Sequence, residues 1–206
     1  MRLEAWDILG VALFSALTAI GSFIRIPLPF TPVPITLQTL FTYMAGAILG
    51  GYLGTLSQAM FILIGISGLP IFAGGNAGLS ALIGPTGGYL VGFVAGTFVI
   101  GKMTEAKKNP NLLWLLTCMV IGTIIIYTLG VIQLMNWLKI DLYKAVIIGA
   151  VPFIVGDLLK MFVAAYATLR IRKTLPFARW NSGTMRAPKT ISDSLENLGC
   201  SEGEKL

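Results

Sequence analysis

The feature that most constrains this sequence is a long stretch without charge: no Asp, Glu, Lys or Arg occurs from Ile26 to Gly101. Charged residues make up 12% of the whole chain, about half of the roughly 25% found in soluble domains. A soluble fold could not cover its surface with so few charges, and the same composition excludes intrinsic disorder. The pattern is typical of a chain that crosses a membrane several times.

Apolar segments that could form membrane helices recur along the chain. A hydrocarbon core about 30 Å thick requires about 20 apolar residues in helical conformation. The segments that we predict as helices are residues 8–24, 36–50, 52–67, 86–101, 112–135 and 143–169. The predicted fold is all-α, a polytopic bundle of six transmembrane helices within residues 1–175, followed by a polar, flexible cytoplasmic tail over residues 176–206. Pro152 is expected to kink the last helix near its start.

Two connecting segments have unusual compositions. Residues 26–35 contain four prolines, and because proline removes backbone donors and disfavours helix, this segment is predicted as a rigid extended loop. Residues 68–84 are rich in glycine but too apolar for an ordinary solvated loop. We expect this second segment to fold back over the bundle, where protein surrounds its irregular backbone.

The positive residues are divided unequally between the two sides of the predicted bundle. One side would carry Arg2, Lys102, Lys107, Lys108, Arg170, Arg172, Lys173 and Arg179, and the other Arg25, Lys139 and Lys144. Because cytoplasmic segments are enriched in Lys and Arg, both termini are predicted to be cytoplasmic in a cell membrane. The proline-rich and glycine-rich loops would then lie outside.

Several classes of function are disfavoured by composition. Histidine is absent, so histidine-based catalytic triads and metal sites are excluded. The two cysteines, Cys118 and Cys200, cannot form a cysteine-rich metal site. The net charge of +6 comes from residues that flank apolar segments, so membrane orientation explains it better than nucleic-acid binding. No enzymatic activity, cofactor or metal is predicted.

Two charges inside the last predicted helix are the strongest candidates for a functional site. Asp157 and Lys160 are three residues apart and so lie on one helix face, close enough to pair. A charge at the centre of a membrane helix costs roughly 2.5–3.5 kcal/mol. A structural ion pair remains the alternative, but the expected role is a polar ligand site, with Asp157 accepting hydrogen bonds and Lys160 donating them.

Other polar groups in apolar segments are weaker candidates. Asn76 is the one large polar side chain of the glycine-rich loop, and its amide can match a urea or an amide, although a turn residue is an equally good interpretation. Gln38, Thr39 and Tyr89 are polar groups in predicted helices. Such residues more often make helix–helix hydrogen bonds than ligand contacts.

Small residues recur at four-residue spacing, which lets membrane helices approach closely. The glycine series Gly84, Gly88, Gly92 and Gly96 is expected to pack helices inside the bundle. Ala12 and Ala16 form a similar face on the first helix, which could also dock a separate membrane subunit.

Three longer motifs resemble those of one protein family. They are PLPFTPVPITLQTL (27–40), LIGISGLPIFAGGNAGLSALIGPTGGYLVGF (63–93) and GAVPFIVGDLLK (149–160). Their order and spacing resemble the BioY family, the biotin-specific substrate-binding components of energy-coupling-factor (ECF) transporters. The resemblance covers about residues 8–172.

This resemblance implies a six-helix S-component fold with a biotin pocket near the outer face, capped by the proline-rich and glycine-rich loops. By motif, it implies that Asn76, Asp157, Lys160 and, less directly, Tyr89 contact biotin. The implied partners are a transmembrane coupling subunit, which would dock at Ala12 and Ala16, and two ATPase subunits that drive import.

The chemistry of biotin suits these residues. Its ureido ring offers two N–H donors and a carbonyl, which Asp157 and Asn76 could match, while Lys160 keeps Asp157 ionised. Phe30, Phe72 and Leu90 are candidates for an apolar wall. A component for another vitamin, a solitary biotin transporter, an intramembrane enzyme that uses Asp157 and a structural scaffold are the alternatives.

Overall fold

The structure is a computed structural model that describes residues 5–174, and the side chains of residues 5–172. Its helices are α1 (Ala5–Phe23), α2 (Gln38–Ile66), α3 (Leu79–Ile83), α4 (Gly87–Glu105), α5 (Leu112–Leu138), α6 (Leu142–Gly149) and α7 (Val151–Thr174). Two short strands, β1 (Arg25–Ile26) and β2 (Ile35–Thr36), form an antiparallel pair. The predicted tail over residues 176–206 lies outside the described residues.

Five of the described helices, α1, α2, α4, α5 and α7, are long and apolar enough to cross a membrane. Their large apolar side chains divide between a buried core and a lipid-facing surface; Leu13 and Leu159, for example, are exposed, while Phe61 and Met119 are fully buried. Since no aqueous surface would present so many large apolar groups, the protein is a multi-pass membrane protein with the predicted helical fold.

Helix α2 reverses its direction at Gly50. This glycine has φ 84° and ψ −176°, a backbone conformation that residues with a Cβ rarely adopt. After the reversal, the side chain of Thr42 faces that of Gln58 at 3.4 Å. A Cβ on Gly54 would lie 2.9 Å from the carbonyl oxygen of Ala45. The two halves, residues 38–49 and 51–66, therefore form a helical hairpin, as the predicted division at Gly50 indicates, and the described residues 5–174 make six passes.

Side chains from two other helices satisfy the backbone groups exposed at this reversal. Glu105 accepts a hydrogen bond from the backbone N–H of Gly51 at 2.7 Å, and Arg172 donates to the carbonyl of Ala47 at 3.3 Å. Lys102 pairs with Glu105 at 3.1 Å. We call this end of the bundle, which carries Lys102 and Arg172, the basic end. Since the helix-end groups need partners, these contacts tie α2, α4 and α7 together.

The sixth predicted helix, residues 143–169, is in fact two helices, which corrects the expectation of a single kinked one. Ala150 separates α6 from α7 with φ −127° and ψ −52°. Pro152 is the physical reason, because its ring has no N–H and clashes with the carbonyl four residues earlier. The break leaves the carbonyl of Gly149 available to a side chain of another helix.

The glycine series packs α4 against α5, as predicted for three of its four members. A Cβ on Gly92 would lie 2.8 Å from the Cα of Ile126, and one on Gly96 would lie 3.0 Å from the carbonyl oxygen of Gly122. Gly88 likewise faces the backbone of α5. Gly84 differs, because it lies outside α4 and is nearest to Ser80 in its own loop.

The two long connections close the opposite end of the bundle, which we call the loop end. Residues 24–37 form the β1–β2 pair, in which Arg25 faces Thr36. Residues 67–86 return over the helices and insert the buried ring of Phe72 against Phe61, with 5.4 Å between the ring centroids. Ser22 donates a hydrogen bond to the carbonyl of Ile71 at 2.6 Å. The glycine-rich segment is thus folded back over the bundle, as expected, with α3 as a short addition.

Candidate ligand-binding site

A small cavity of about 60 Å³ lies beneath the loop end, at the junction of α2, α4, α5 and α7. Its apolar wall is formed by Val33, Phe72, Leu90, Phe93, Ile126 and Phe153. Its polar side is formed by Thr36, Gln38, Thr39, Thr86, Tyr89, Tyr127, Asp157 and Lys160. A cavity with one apolar wall and a few converging polar groups is the usual form of a small-molecule site.

Asp157 and Lys160 face this cavity as a buried ion pair. The ammonium nitrogen of Lys160 lies 2.7 Å from Oδ1 of Asp157. The side chain of Lys160 is 11% exposed, and that of Asp157 is 3% exposed. Their spacing on α7 makes the contact possible, as the sequence indicates. Pairing offsets the large cost of removing each charge from water.

Residues from two other helices orient the carboxylate of Asp157. Thr39 of α2 donates to Oδ1 at 3.0 Å, and Tyr127 of α5 donates to Oδ2 at 2.7 Å. Lys160 also donates to the hydroxyl of Thr39 at 3.2 Å. The carboxylate is therefore fixed by three helices, and it is presented to the cavity in one orientation.

Tyr89 lines the cavity, but its hydroxyl group is already engaged. The hydroxyl donates to the carbonyl of Gly149 at 2.7 Å, the group left free by the break between α6 and α7. Tyr89 therefore connects α4 to this break and offers the cavity its ring. A contact of Tyr89 with a ligand stays a prediction.

Asn76 does not lie against the ion pair. It is exposed, and its amide donates to the carbonyl of Ala73 at 2.9 Å. It lines a second, larger hollow of about 610 Å³ at the loop end, which shares Pro34, Ala73 and Thr86 with the small cavity. Asn76 is therefore adjacent to the candidate site rather than inside it, and its predicted ligand contact stays a prediction.

Two further polar groups line the cavity, Gln38 and Tyr127. Gln38 is 3% exposed; its Oε1 accepts from Thr36 at 3.1 Å, while its Nε2 has no hydrogen-bond partner within the described part of the chain. Such an unpaired buried donor is rare in native proteins. Tyr127 is not among the predicted site residues, although a phenol in a largely apolar helix is a usable signal.

The expected apolar wall is present only in part. Phe72 and Leu90 line the cavity, as predicted. Phe30 does not, because its side chain is 56% exposed at the loop end. The four prolines around Phe30 hold the chain in an extended path there, and the aromatic positions come instead from Phe93 and Phe153.

Ala12 and Ala16 lie away from this site, along an apolar groove of about 450 Å³ between α1 and the second half of α2. Leu56, Met60 and Ile64 form the facing side of the groove.

Among residues 5–174 no group of His, Cys, Asp and Glu side chains is arranged to hold a metal ion.

Comparison with known proteins agrees with these features. Residues 1–177 match the profile of the BioY family. The chain is 44% identical over 167 residues to "Biotin transporter BioY" of Thermotoga maritima, which covers 81% of this chain and 96% of that protein. It is 39% identical over 175 residues to "Probable biotin transporter BioY" of Lysinibacillus sphaericus, covering 82% and 88%.

A solved structure extends the agreement to the fold. The 2.1 Å crystal structure of the S-component for biotin from an ECF-type ABC transporter superposes with a TM-score of 0.81 at 30% sequence identity. The match covers 87% of this chain and 99% of that one. The chain therefore belongs to the BioY family, and it is a membrane transport protein rather than an enzyme.

Proposed function

We propose that this protein is the biotin-binding S-component of an ECF-type transporter, which captures biotin at the outer face of the cell membrane. The buried pair of Asp157 and Lys160, presented to a cavity beneath two loops, is the observation that carries the proposal. An ion pair used only for packing would not need to face a cavity. Intramembrane charges are costly and usually mark a ligand or ion pathway.

The hydrogen-bonding capacity left in the cavity matches a ureido group. A carboxylate offers about four lone-pair positions, and donors from Thr39, Tyr127 and Lys160 occupy three of those of Asp157. An acceptor position therefore remains for a ureido N–H. Lys160 has used two of its ammonium donors within the described structure, so one remains for the ureido carbonyl. The amide of Gln38 is a second donor for the same oxygen.

The apolar wall suits the rest of the molecule. Phe72, Leu90 and Phe153 can cover the thioether ring and the first part of the valeryl chain. A cavity of about 60 Å³ is smaller than the roughly 300 Å³ or more usual for ligand sites. Entry of biotin therefore requires the segment that carries Phe72 to move outward, and this segment would close again over the bound ligand.

Partner subunits would supply the energy for import. The groove beside Ala12 and Ala16 supports docking of a transmembrane coupling subunit, because small residues let another helix approach closely. Two ATPase subunits would complete the transporter, and both termini would be cytoplasmic, on the side of the basic end. Import by this chain alone is the second candidate.

The proposal is tested by the small molecule that copurifies with the protein. We expect mass spectrometry of protein purified from biotin-containing cells to detect biotin in near-stoichiometric amount. Calorimetry on biotin-depleted protein in detergent should show binding of biotin and no binding of thiamine or riboflavin. Preferential binding of another vitamin, or no binding of any of the three, would contradict it.

The unpaired amide of Gln38 leads to a specific prediction. We expect Gln38→Leu to weaken biotin binding about tenfold, because a hydrogen bond to the ureido oxygen is lost. The ligand-free variant should be about as thermally stable as the wild type, because removing an unpaired buried donor, which costs about 1–3 kcal/mol, offsets the loss of the hydrogen bond from Thr36. Calorimetry and thermal unfolding in detergent measure the two effects.

Gln133→Leu is the matched control. The amide of Gln133 donates to the carbonyls of Leu82 and Gly84 at 2.8 and 2.7 Å, so its loss should lower thermal stability. Wild-type affinity in Gln38→Leu would show that the amide of Gln38 has no part in recognition.

A further inference from the structure

The hollow at the loop end contains a cation for which the proposed site has no use. This hollow, of about 610 Å³, is lined by Arg25 and Asn76 and shares Pro34, Ala73 and Thr86 with the small cavity. A ligand that fills the cavity and extends past these shared residues enters the hollow.

Two features hold Arg25 at the wall of this hollow. In the β1–β2 pair it faces Thr36, which itself lines the small cavity, and the Cβ atoms of such cross-strand partners lie about 5 Å apart. The guanidinium group also lies against Gly74: a Cβ on that glycine would be 2.6 Å from Nη1. Gly74 has φ 91°, so the loop both requires a glycine here and leaves room for the arginine.

No carboxylate in the described part of the chain pairs with Arg25. The loops that form the hollow cannot supply one, because no acidic residue occurs from Ile26 to Gly101. Asp141, which follows α5, already contacts Lys144 at 3.5 Å. Asn76 is neutral, and its amide donates to Ala73. The hollow is therefore a positively charged entrance. The planar guanidinium of Arg25 can bind a carboxylate there through two parallel hydrogen bonds.

We propose that Arg25 binds the carboxylate of the ligand, and that biotin lies with its ureido ring at Asp157 and its valeryl chain directed to the loop end. This inference rests on the proposed function. The reverse orientation would bring the ligand carboxylate beside the carboxylate of Asp157, with only the already paired Lys160 to balance two negative charges. In the proposed orientation each charged group faces an opposite charge or a neutral donor.

The test compares biotin with biotinamide, in which a neutral amide replaces the carboxylate. On biotin-depleted protein in detergent, calorimetry should show that the wild type prefers biotin about tenfold. Arg25→Gln should lose this preference by weakening biotin binding while leaving biotinamide binding unchanged. Wild-type affinity for biotin should fall as NaCl is raised, because exposed charges are screened, and the Arg25→Gln protein should lose this salt dependence.

Controls separate a local charge effect from a general one. Lys144→Gln removes an exposed cation that lines neither the hollow nor the cavity, and it should retain the preference for biotin. Arg25→Lys, which keeps the charge but not the planar fork, should retain part of it.

Several results would overturn the inference while leaving the proposed function intact. These are equal weakening of both ligands by Arg25→Gln, an unchanged preference in that variant, or no preference in the wild type. Failure of the wild type to bind biotin at all would instead contradict the proposed function.

Discussion

Asp157→Asn is expected to weaken biotin binding by about a hundredfold or more, since a buried charged hydrogen bond is lost and neighbouring donors are left unpaired. The carboxylate receives three hydrogen bonds from Thr39, Tyr127 and Lys160. An asparagine amide would direct its own N–H donors toward some of these donors and would have no acceptor left for a ureido N–H. Calorimetry with purified protein in detergent measures the loss.

A second aspartate provides the matched control for this change. Asp141 accepts from the backbone N–H of Lys144 at 3.2 Å at the start of α6, and asparagine is an equally good residue at that helix position. Asp141→Asn should therefore bind biotin like the wild type. Unchanged affinity in both Asp157→Asn and Lys160→Ala would contradict the assigned site.

Stability measurements on variants of Asp157 and Lys160 separate the effect of this pair on biotin binding from its effect on folding. Removing one member of a buried ion pair costs about 3–5 kcal/mol, because the other charge is left without a partner. Lys160→Met should therefore lower the unfolding temperature. The double variant Asp157→Asn/Lys160→Met should recover much of that stability without recovering biotin binding.

The second large effect is expected where α4 and α5 pack together. Gly92→Ala should destabilise the protein by about 1–3 kcal/mol, because the new methyl group would lie 2.8 Å from the Cα of Ile126 and backbone cannot move aside as a side chain can. Thermal unfolding in detergent, followed by size-exclusion chromatography, should show a clear decrease in the unfolding temperature.

Gly156→Ala is the same chemical change at an open position. The nearest atom to its Cβ would be Cγ2 of Ile35 at 4.0 Å. Because glycine costs roughly 0.5–1 kcal/mol relative to alanine inside a helix, this variant should be as stable as the wild type or slightly more stable. Equal unfolding temperatures for Gly92→Ala and Gly156→Ala would show that the α4–α5 contact is not tight.

Much of the architecture could be predicted from the sequence because it depends on local properties. The charge-free stretch from Ile26 to Gly101 determines the membrane class, and Gly50-Gly51 marks a reversal that requires a glycine. The pairing of Asp157 with Lys160 follows from helical spacing. Each of these inferences needs only a few neighbouring residues. Each follows from the free-energy cost of placing a charge or an unpaired backbone group in lipid.

The details of the site could not be predicted in the same way. Asp157 receives its hydrogen bonds from Thr39 and Tyr127, which are 118 and 30 residues away. The unpaired amide of Gln38 and the position of Asn76 outside the cavity likewise depend on how distant segments pack together. These contacts depend on how far each helix is rotated and how closely it packs. Hydrophobic periodicity is weak on helices that face lipid on one side and apolar protein on the other, so it leaves that rotation undetermined.

The sequence by itself therefore determined that this chain is a helical membrane protein with a buried acid–base pair at Asp157 and Lys160, because the cost of removing charges and backbone groups from water dominates those choices. Only the tertiary structure decided which groups surround that pair. It assigned Thr39, Tyr127 and Gln38 to the cavity and Arg25 and Asn76 to its entrance. The physical reason is that six helical passes and two loops meet there, and their relative placement comes from close packing between distant segments.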